Sequence, residues 1–228
     1  CIRDSVSAAC SGFITALDIA ASMLKAGSYK YALVIGSEKM SEIVNWKDRS
    51  VCVLFGDGAG AVVLKAVDNN TEDVTGALVG HERGIIDSNI YNDGTGASVL
   101  TGGRRFSDSC STDIFIHMDG QEVFKFAVKS VPTAIETLLH NNNMDINDVD
   151  KFILHQANVR IIESVAKRLK ADKDKFPVNL NEYGNTSSAS IPILLDELNR
   201  NGSLKQGEKL VLAGFGAGLS WGSILLVW

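Results

Sequence analysis

The chain has no uncharged apolar run of about 18 residues, the length that a membrane-spanning helix needs. Its first residues, Cys1-Ile2-Arg3-Asp4, lack the basic and apolar regions of a signal peptide. Basic residues are outnumbered, since 22 Lys and Arg stand against 27 Asp and Glu and give a net charge of −5. A nucleic-acid-binding surface needs an excess of clustered basic side chains. The sequence therefore predicts a cytoplasmic protein with no membrane insertion and no nucleic-acid partner.

Cysteine is scarce and scattered. The four cysteines are Cys1, Cys10, Cys52 and Cys110. No two of them have the Cys-x-x-Cys spacing of a zinc or redox site, and four in a chain of this length are too few for a disulfide scaffold. The pattern predicts no metal site and leaves core packing or nucleophilic catalysis as the roles open to each cysteine.

Strand-like apolar runs alternate along the chain with helix-like periodic stretches. With 228 residues, 45% of them hydrophobic, the protein can bury a sizeable core. The alternation predicts an α/β fold in which sheets are covered by helices. Helices are predicted at 10–25, 120–141, 158–169 and 191–199, and strands at 31–37, 51–55, 59–65, 152–155, 209–213 and 221–228. A stretch from 69 to 113, rich in Gly, Asp, Asn, Ser and Thr, is predicted to be a linker or surface insertion.

One pattern occurs twice in the chain. Residues 53–60 and 211–218 both read Val-Leu-x-Gly-x-Gly-Ala-Gly. The repeat predicts two related α/β halves, 1–85 and 86–228, each closing with a strand, a glycine turn and a second strand. The alternative is coincidence in a chain that contains 21 glycines.

Cys10 lies where a short apolar run meets the start of an amphipathic helix. The unpaired N–H groups and the dipole of a helix amino terminus favour a thiolate, which is the nucleophilic form of cysteine. Its small neighbours, Ala8, Ala9, Ser11 and Gly12, would let a substrate approach the sulfur. A buried cysteine that packs as a small hydrophobe is an equally good reading of position alone.

His155 and Asn185 are the candidate partners of this cysteine. His155 ends a predicted strand, and α/β proteins place reactive side chains at the carboxyl ends of strands. Asn185 follows Gly184 in a polar turn, where it reads first as a helix cap. Taken singly, each residue has a structural explanation. Asn185 gains a functional value only where an amide donor is needed beside His155.

Five motifs occur in one order along the chain. They are 7–13 (Ser-Ala-Ala-Cys-Ser-Gly-Phe), 56–61 (Gly-Asp-Gly-Ala-Gly-Ala), 155–161 (His-Gln-Ala-Asn-Val-Arg-Ile), 184–192 (Gly-Asn-Thr-Ser-Ser-Ala-Ser-Ile-Pro) and 214–223 (Gly-Phe-Gly-Ala-Gly-Leu-Ser-Trp-Gly-Ser). In this order the chain resembles β-ketoacyl-acyl-carrier-protein synthase III from end to end. The resemblance implies a thiolase-like fold of two related halves. It also implies that the first half is truncated, because the family has a substantial segment before its cysteine and this chain has nine residues there.

The resemblance further implies an acyltransferase that initiates fatty acid elongation without a cofactor, using coenzyme A thioesters as substrates. Cys10 would take an acyl group from acyl-coenzyme A, and malonyl-acyl carrier protein would then be decarboxylated and attack that group. His155 and Asn185 would stabilise the negative charge that decarboxylation places on the malonyl thioester oxygen. The backbone amides of Cys10 and Ala217 would hold the oxyanion of the acyl-cysteine.

Residues for substrate and partner binding carry over position by position. Arg49 would flank the coenzyme A adenine, and the pantetheine tunnel would be lined by Gly120, Phe124 and Asn158. The resemblance also implies a homodimer. The side chains of Arg160, Lys167 and Arg168 fall on one face of the helix after His155 and could meet an acidic carrier protein, although a solvated charged face is the alternative.

Two other functions remain open at this point. One is a polyketide-type synthase that uses the same Cys, His and Asn set with another primer or extender. The Gln156-Ala157-Asn158 sequence after His155 favours the fatty-acid branch. The other is a fragment without activity, which would serve only as a structural element or a partner surface.

Overall fold

The computed structural model describes residues 4–67, 83–102 and 115–228. The helices in these ranges are α1 (Gly12–Lys25), α2 (Gly120–Asn141), α3 (Val159–Leu169), α4 (Leu180–Tyr183) and α5 (Ser190–Arg200). The strands are β1 (Tyr31–Glu38), β2 (Gly58–Lys65), β3 (Gly84–Asn92), β4 (Leu100–Thr101), β5 (His117–Met118), β6 (Lys151–Leu154), β7 (Lys209–Gly216) and β8 (Ser220–Val227). Among the described residues, no helix combines the length and apolar character needed to cross a membrane.

The larger sheet has the strand order β3-β8-β7-β6, and a hydrophobic core cluster packs on each of its faces. Strands β6 and β7 are parallel, whereas β8 runs antiparallel to both of its neighbours. Successive side chains of a strand point to opposite faces. On β7, Val211 and Ala213 join a core cluster with α2 and α3, while Leu210 and Leu212 join a second cluster with α1 and α5. The predicted α/β layering, with a sheet between helices, is confirmed.

The smaller sheet consists of β1 and β2, which pair antiparallel from Tyr31 opposite Lys65 to Glu38 opposite Gly58. Helices α1 and α5 pack against one face, where Val34 is buried. Leu33, Ile35 and Val63 lie on the other face and are 56 to 69% exposed. Only one side of this sheet is covered by the described residues.

The predicted strand at 51–55 and its hairpin with the next strand are wrong. Residues 51–54 form turns, and β2 pairs with β1 instead. The main-chain groups just before β2 are used elsewhere, because Leu54 O accepts from Asn185 N and Gly56 N donates to Asn185 O. Of the two copies of the repeated pattern, only residues 211–218 lie in a hairpin, formed by β7 and β8.

Residues 69–113 were predicted to be a linker or surface insertion, and this is wrong for the part that forms β3. That strand pairs with β8 along its length at the edge of the larger sheet. Residues 68–82 and 103–114 of that stretch lie outside the described residues, with Cys110 among them. β3 begins at Gly84, next to the predicted boundary between 1–85 and 86–228. The division into two halves at that point stays a prediction.

Candidate active site

Cys10 lies in a single 3-10 turn, Ala9–Ser11, that leads directly into α1. The residue is 8% exposed. Gly216, the last residue of β7, packs against it so closely that a Cβ at this glycine would lie 2.8 Å from the Cβ of Cys10. The hydroxyl of the neighbouring Ser11 contacts that of Ser220 on β8 at 2.6 Å. The cysteine is thus held between the start of α1 and the end of the β7–β8 hairpin.

Burial raises the pKa of the Cys10 thiol to about 11. A hydrogen bond from Ser187 lowers the pKa, while the nearby charge of Glu38 raises it further. The sequence led us to expect that the helix amino terminus would favour a thiolate at Cys10. The structure reverses this expectation, because burial destabilises the thiolate more than the helix amino terminus stabilises it. In the free protein at neutral pH, Cys10 is a thiol.

His155 directly follows β6, and its backbone N–H donates to Ala213 O on β7 at 2.8 Å. The residue is 1% exposed, and its ring meets Phe215 edge to face, with the centroids 5.3 Å apart. Nδ1 lies 2.7 Å from Oγ of Ser190, the first residue of α5. Burial lowers the pKa of His155 to about 3, so the imidazole is neutral at physiological pH.

Asn185 lies in the loop between α4 and α5, where its main chain pairs with residues 54–56. A Cβ at Gly56 would lie 2.1 Å from Tyr183 O, so only glycine allows the loop to come this close. Oδ1 of Asn185 accepts the backbone N–H of Ser187 at 2.9 Å. This bond fixes the orientation of the side-chain amide. The Nδ2 group remains as a donor with no acceptor among the described residues.

The loop segment 185–190 joins the three candidate residues. The backbone N–H of Ser187 donates to Asn185 and its side chain lowers the pKa of the Cys10 thiol, while Oγ of Ser190 contacts His155. On the opposite side, the end of β7 contacts both Cys10, through Gly216, and His155, through Phe215. A buried thiol and a neutral imidazole are therefore held by the same two segments of chain, and the amide donor of Asn185 lies on one of them. Such a set suits the formation and breakdown of an acyl-cysteine.

Comparison with known proteins adds to this geometry. Residues 5–94 match the model of 3-oxoacyl-[acyl-carrier-protein] synthase III, and residues 139–228 match the model of its C-terminal part. A β-ketoacyl-[acyl-carrier-protein] synthase III of Clostridium acetobutylicum is 45% identical over 98% of this chain and 66% of its own length. The chain belongs to the 3-oxoacyl-[acyl-carrier-protein] synthase III family. It spans about two thirds of the length of the curated relatives that it matches.

Two solved structures share the fold of this synthase III chain. The 3-oxoacyl-[acyl-carrier-protein] synthase III of Aquifex aeolicus is 44% identical, covers 98% of this chain and 66% of its own, and superposes with a TM-score of 0.86. The priming β-ketosynthase of the R1128 polyketide pathway is 36% identical, covers 97% of this chain and 64% of its own, and has a TM-score of 0.84. The fold is therefore thiolase-like, which confirms the predicted fold class.

The two amides predicted to hold the oxyanion in this synthase III chain belong to Cys10 itself and to Ala217. Ala217 follows Gly216 in the turn between β7 and β8 and does not adopt a positive φ. Its carbonyl accepts the hydroxyl of Ser220, which also contacts Ser11 beside Cys10. These contacts tie the turn to the cysteine. The assignment of the two amides to an oxyanion stays a prediction.

The residues predicted to bind coenzyme A are spread along the chain. Arg49 is exposed in a turn, Gly120 opens α2, and Phe124 lies half-buried on that helix. Asn158 caps α3, because its side chain accepts the backbone N–H of Arg160. The capping bond gives Asn158 a structural role in addition to any contact with substrate. All four binding roles stay predictions.

The predicted carrier-protein face consists of Arg160, Lys167 and Arg168, all exposed on α3. Glu163 is exposed on the same helix and lies 3.8 Å from Lys173. The face therefore carries three basic side chains and one acidic side chain. Docking of an acidic partner on it stays a prediction.

Sequence reasoning missed three residues that contact the site. Ser187 and Ser190 lie inside the motif at 184–192, but nothing in their spacing shows that they reach Cys10 and His155. Glu38 ends β1, and one of its oxygens accepts from the hydroxyls of Ser187 and Ser188 and from the backbone N–H of Ser188. No sequence signal singles out this carboxylate, because its partners are 149 and 150 residues away.

Proposed function

We propose that this protein catalyses the decarboxylative condensation of an acyl-coenzyme A primer with malonyl-acyl carrier protein and so initiates fatty acid elongation. The observation that carries the proposal is the joining of Cys10, His155 and Asn185 through the segment 185–190. Membership of the synthase III family supports the same reaction.

In the first half-reaction, Sγ of Cys10 attacks the carbonyl carbon of the acyl thioester. The bond from that carbon to the coenzyme A sulfur breaks, and coenzyme A leaves as a thiol with the proton that Cys10 loses. The raised pKa of Cys10 means that this proton is still present when the substrate arrives. Amides of Cys10 and Ala217 would stabilise the negative oxygen that forms during the attack.

In the second half-reaction, the malonyl group loses carbon dioxide and its thioester oxygen becomes negative as an enolate forms. The enolate carbon bonds to the acyl carbon, the bond from that carbon to Sγ breaks, and the Cys10 thiolate that leaves takes up a proton from solvent. Neutral donors suit the enolate oxygen, and burial keeps His155 neutral while the fixed amide of Asn185 offers Nδ2. The reaction proceeds on thioesters throughout and calls for no bound metal or prosthetic group.

The localisation, the oligomeric state and the binding surfaces are inferred from the same family membership. We infer a cytoplasmic homodimer in which Arg49, Gly120, Phe124 and Asn158 contact coenzyme A or pantetheine, and α3 meets the carrier protein. The exposed Leu33 and Ile35 of β1 support burial of the smaller sheet in an assembly. Light scattering during gel filtration would give the oligomeric state directly, and a monomer at micromolar concentration would contradict the dimer.

A labelling experiment tests the first half-reaction. The protein is mixed with radiolabelled acetyl-coenzyme A, denatured, and digested to find which peptide carries the label. We expect label on Cys10, none in Cys10→Ala, and normal labelling in Cys52→Ala, which removes the other described free cysteine. A folded wild-type protein that takes up no transferable label would favour the fragment without activity.

A polyketide-type synthase is the second candidate, favoured by the likeness to the priming β-ketosynthase of the R1128 pathway. Both enzymes would form an acyl-cysteine, so labelling does not separate them. Competition between the carrier proteins of the two pathways for the acetyl-labelled protein would separate the two enzymes. A strong preference of the labelled protein for a polyketide carrier over a fatty-acid carrier would reverse our assignment.

A further inference from the structure

Ser190 is a buried serine that contacts the candidate histidine directly. It is 2% exposed and is the first residue of α5. Its Oγ lies 2.7 Å from Nδ1 of His155, and the backbone N–H of Gln156 donates to the same oxygen at 3.3 Å. The hydroxyl thus lies between the ring of His155 and the peptide that follows it.

The two contacts decide which atom supplies the proton between Ser190 and His155. A serine hydroxyl has one proton to donate and two lone pairs that accept. The backbone N–H of Gln156 already donates to one lone pair of the Ser190 Oγ. If Nδ1 of His155 also donated to Oγ, the hydroxyl proton would be left in a buried site, and the described residues offer it no other acceptor. Donation from Ser190 to Nδ1 satisfies all of these groups.

We propose that Ser190 is a positioning residue whose hydroxyl donates to Nδ1 of His155 and holds the imidazole as the tautomer with its proton on Nε2. Because burial keeps this ring neutral, it has one N–H group, and that group is directed away from Ser190. The edge-to-face contact with Phe215 restricts rotation of the ring. Nε2 is then a fixed hydrogen-bond donor for a substrate oxygen.

This inference deepens and rests on the proposed function, in which His155 donates to the malonyl thioester oxygen. A ring protonated on Nδ1 would present a lone pair to that oxygen and would repel the developing negative charge. Selection of the tautomer by Ser190 would therefore act on the condensation step. The formation of the acyl-cysteine, which does not use this donor, would be unaffected.

Nitrogen NMR of the whole chain tests the tautomer without any assay of activity. Long-range proton–nitrogen spectra separate the two neutral tautomers, because the protonated and unprotonated ring nitrogens have very different shifts. Four histidines are present, and the spectrum of His155→Gln identifies the signals of His155 by their loss. We expect a proton on Nε2 and a hydrogen-bonded Nδ1 in the wild-type protein. A wild-type signal from protonated Nδ1 overturns the proposal even if no Ser190 variant folds.

Three variants extend the NMR test. Ser190→Ala should give a mixture of tautomers and lose the hydrogen-bonded shift of Nδ1, whereas Ser190→Thr keeps a hydroxyl and should preserve both features. Ser223→Ala is the matched control, since this serine is also buried but donates to Asn89 on β3. Unchanged His155 signals in a folded Ser190→Ala protein would overturn the proposal.

Kinetics then connect the tautomer to the reaction. In Ser190→Ala we expect kcat for condensation to fall about tenfold, with the KM for malonyl-carrier protein and the labelling of Cys10 unchanged. Equal losses of labelling and condensation would show a general structural role and would contradict our inference. If wild-type His155 carries its proton on Nε2 but the protein neither takes up label nor condenses, the proposed function fails while the role of Ser190 in the tautomer stands.

Discussion

Gly216 and Cys10 are packed so tightly that a Cβ at the glycine would lie 2.8 Å from the Cβ of the cysteine and 3.0 Å from its backbone nitrogen. We expect Gly216→Ala to push the two segments apart and lower the free energy of unfolding by about 1–3 kcal/mol. Urea denaturation measures this loss, and the acetyl labelling rate should fall with it because Cys10 is displaced.

The matched control for this substitution is Gly94→Ala. Gly94 is exposed, and a Cβ there would meet nothing within 4 Å. Its effect on the free energy of unfolding should stay within about 0.5 kcal/mol. Similar losses in the two variants would contradict the close contact at Cys10.

Replacing His155 or Asn185 by alanine should separate the two half-reactions. Both variants should still take up acetyl label on Cys10, because the proposed donors act on the malonyl oxygen. Condensation with malonyl-carrier protein should fall by at least about a hundredfold, the usual cost of removing one such donor. Single-turnover assays of the pre-labelled protein measure this step alone. Loss of labelling in both variants, with their folds intact, would refute the division of roles.

The raised pKa of Cys10 predicts a steep pH dependence for its chemical modification. Because only the thiolate is alkylated, the rate with iodoacetamide should rise about tenfold per pH unit below the pKa. Measurements between about pH 8 and pH 10 in a background with Cys1, Cys52 and Cys110 all replaced by alanine would isolate Cys10. A rate that stays flat over this range would show that the free protein already holds a thiolate.

The charge of Glu38 contributes to this pKa, so Glu38→Gln should lower the pKa of Cys10 and speed alkylation at a given pH. Glu42→Gln is the control, because Glu42 is exposed and pairs with Lys39 at the surface. Equal effects of the two substitutions would rule out a specific influence of Glu38.

Burial of neutral His155 also links stability to pH. Its pKa of about 3 in the folded protein lies below the ordinary value of 6.5. Between these values the unfolded chain binds a proton that the folded chain does not, so stability present above pH 6.5 is lost as pH falls toward 3. This group alone should lower the free energy of unfolding by about 2 kcal/mol when the pH falls from 7 to 5.

Urea denaturation of the wild type and of His155→Gln at those two pH values isolates this contribution. The variant should lose less stability on acidification than the wild type. His140→Gln, at an exposed helix end, should behave as the wild type does. The same pH dependence in all three proteins would show that His155 is protonated in the folded state.

Much of the site could be predicted from local sequence. Cys10 stands at the junction of an extended segment and a helix, His155 directly after a strand, and Asn185 in a polar turn. Each position depends on nearby residues, whose periodicity and turn chemistry act over short distances. The ordered motifs then predicted the family, which the comparisons confirmed.

Long-range pairing was less predictable. Residues 51–55 are apolar enough for a strand, but Leu54 and Gly56 bond to Asn185, and β2 pairs with β1. Likewise β3 lies in a polar, glycine-rich stretch and still completes the edge of the larger sheet against β8. Composition cannot reveal such partners, because hydrogen bonds between distant segments form only when the whole chain has packed.

The sequence by itself determined the α/β layering, the family and the identity of Cys10, His155 and Asn185 as candidates, since these follow from short-range patterns. Tertiary structure alone decided the state of those groups. Burial makes Cys10 a thiol and His155 neutral, while Ser187, Ser190 and Glu38 surround them from elements distant in sequence. Desolvation and charge depend on the three-dimensional surroundings of a group, and a local sequence pattern does not contain them.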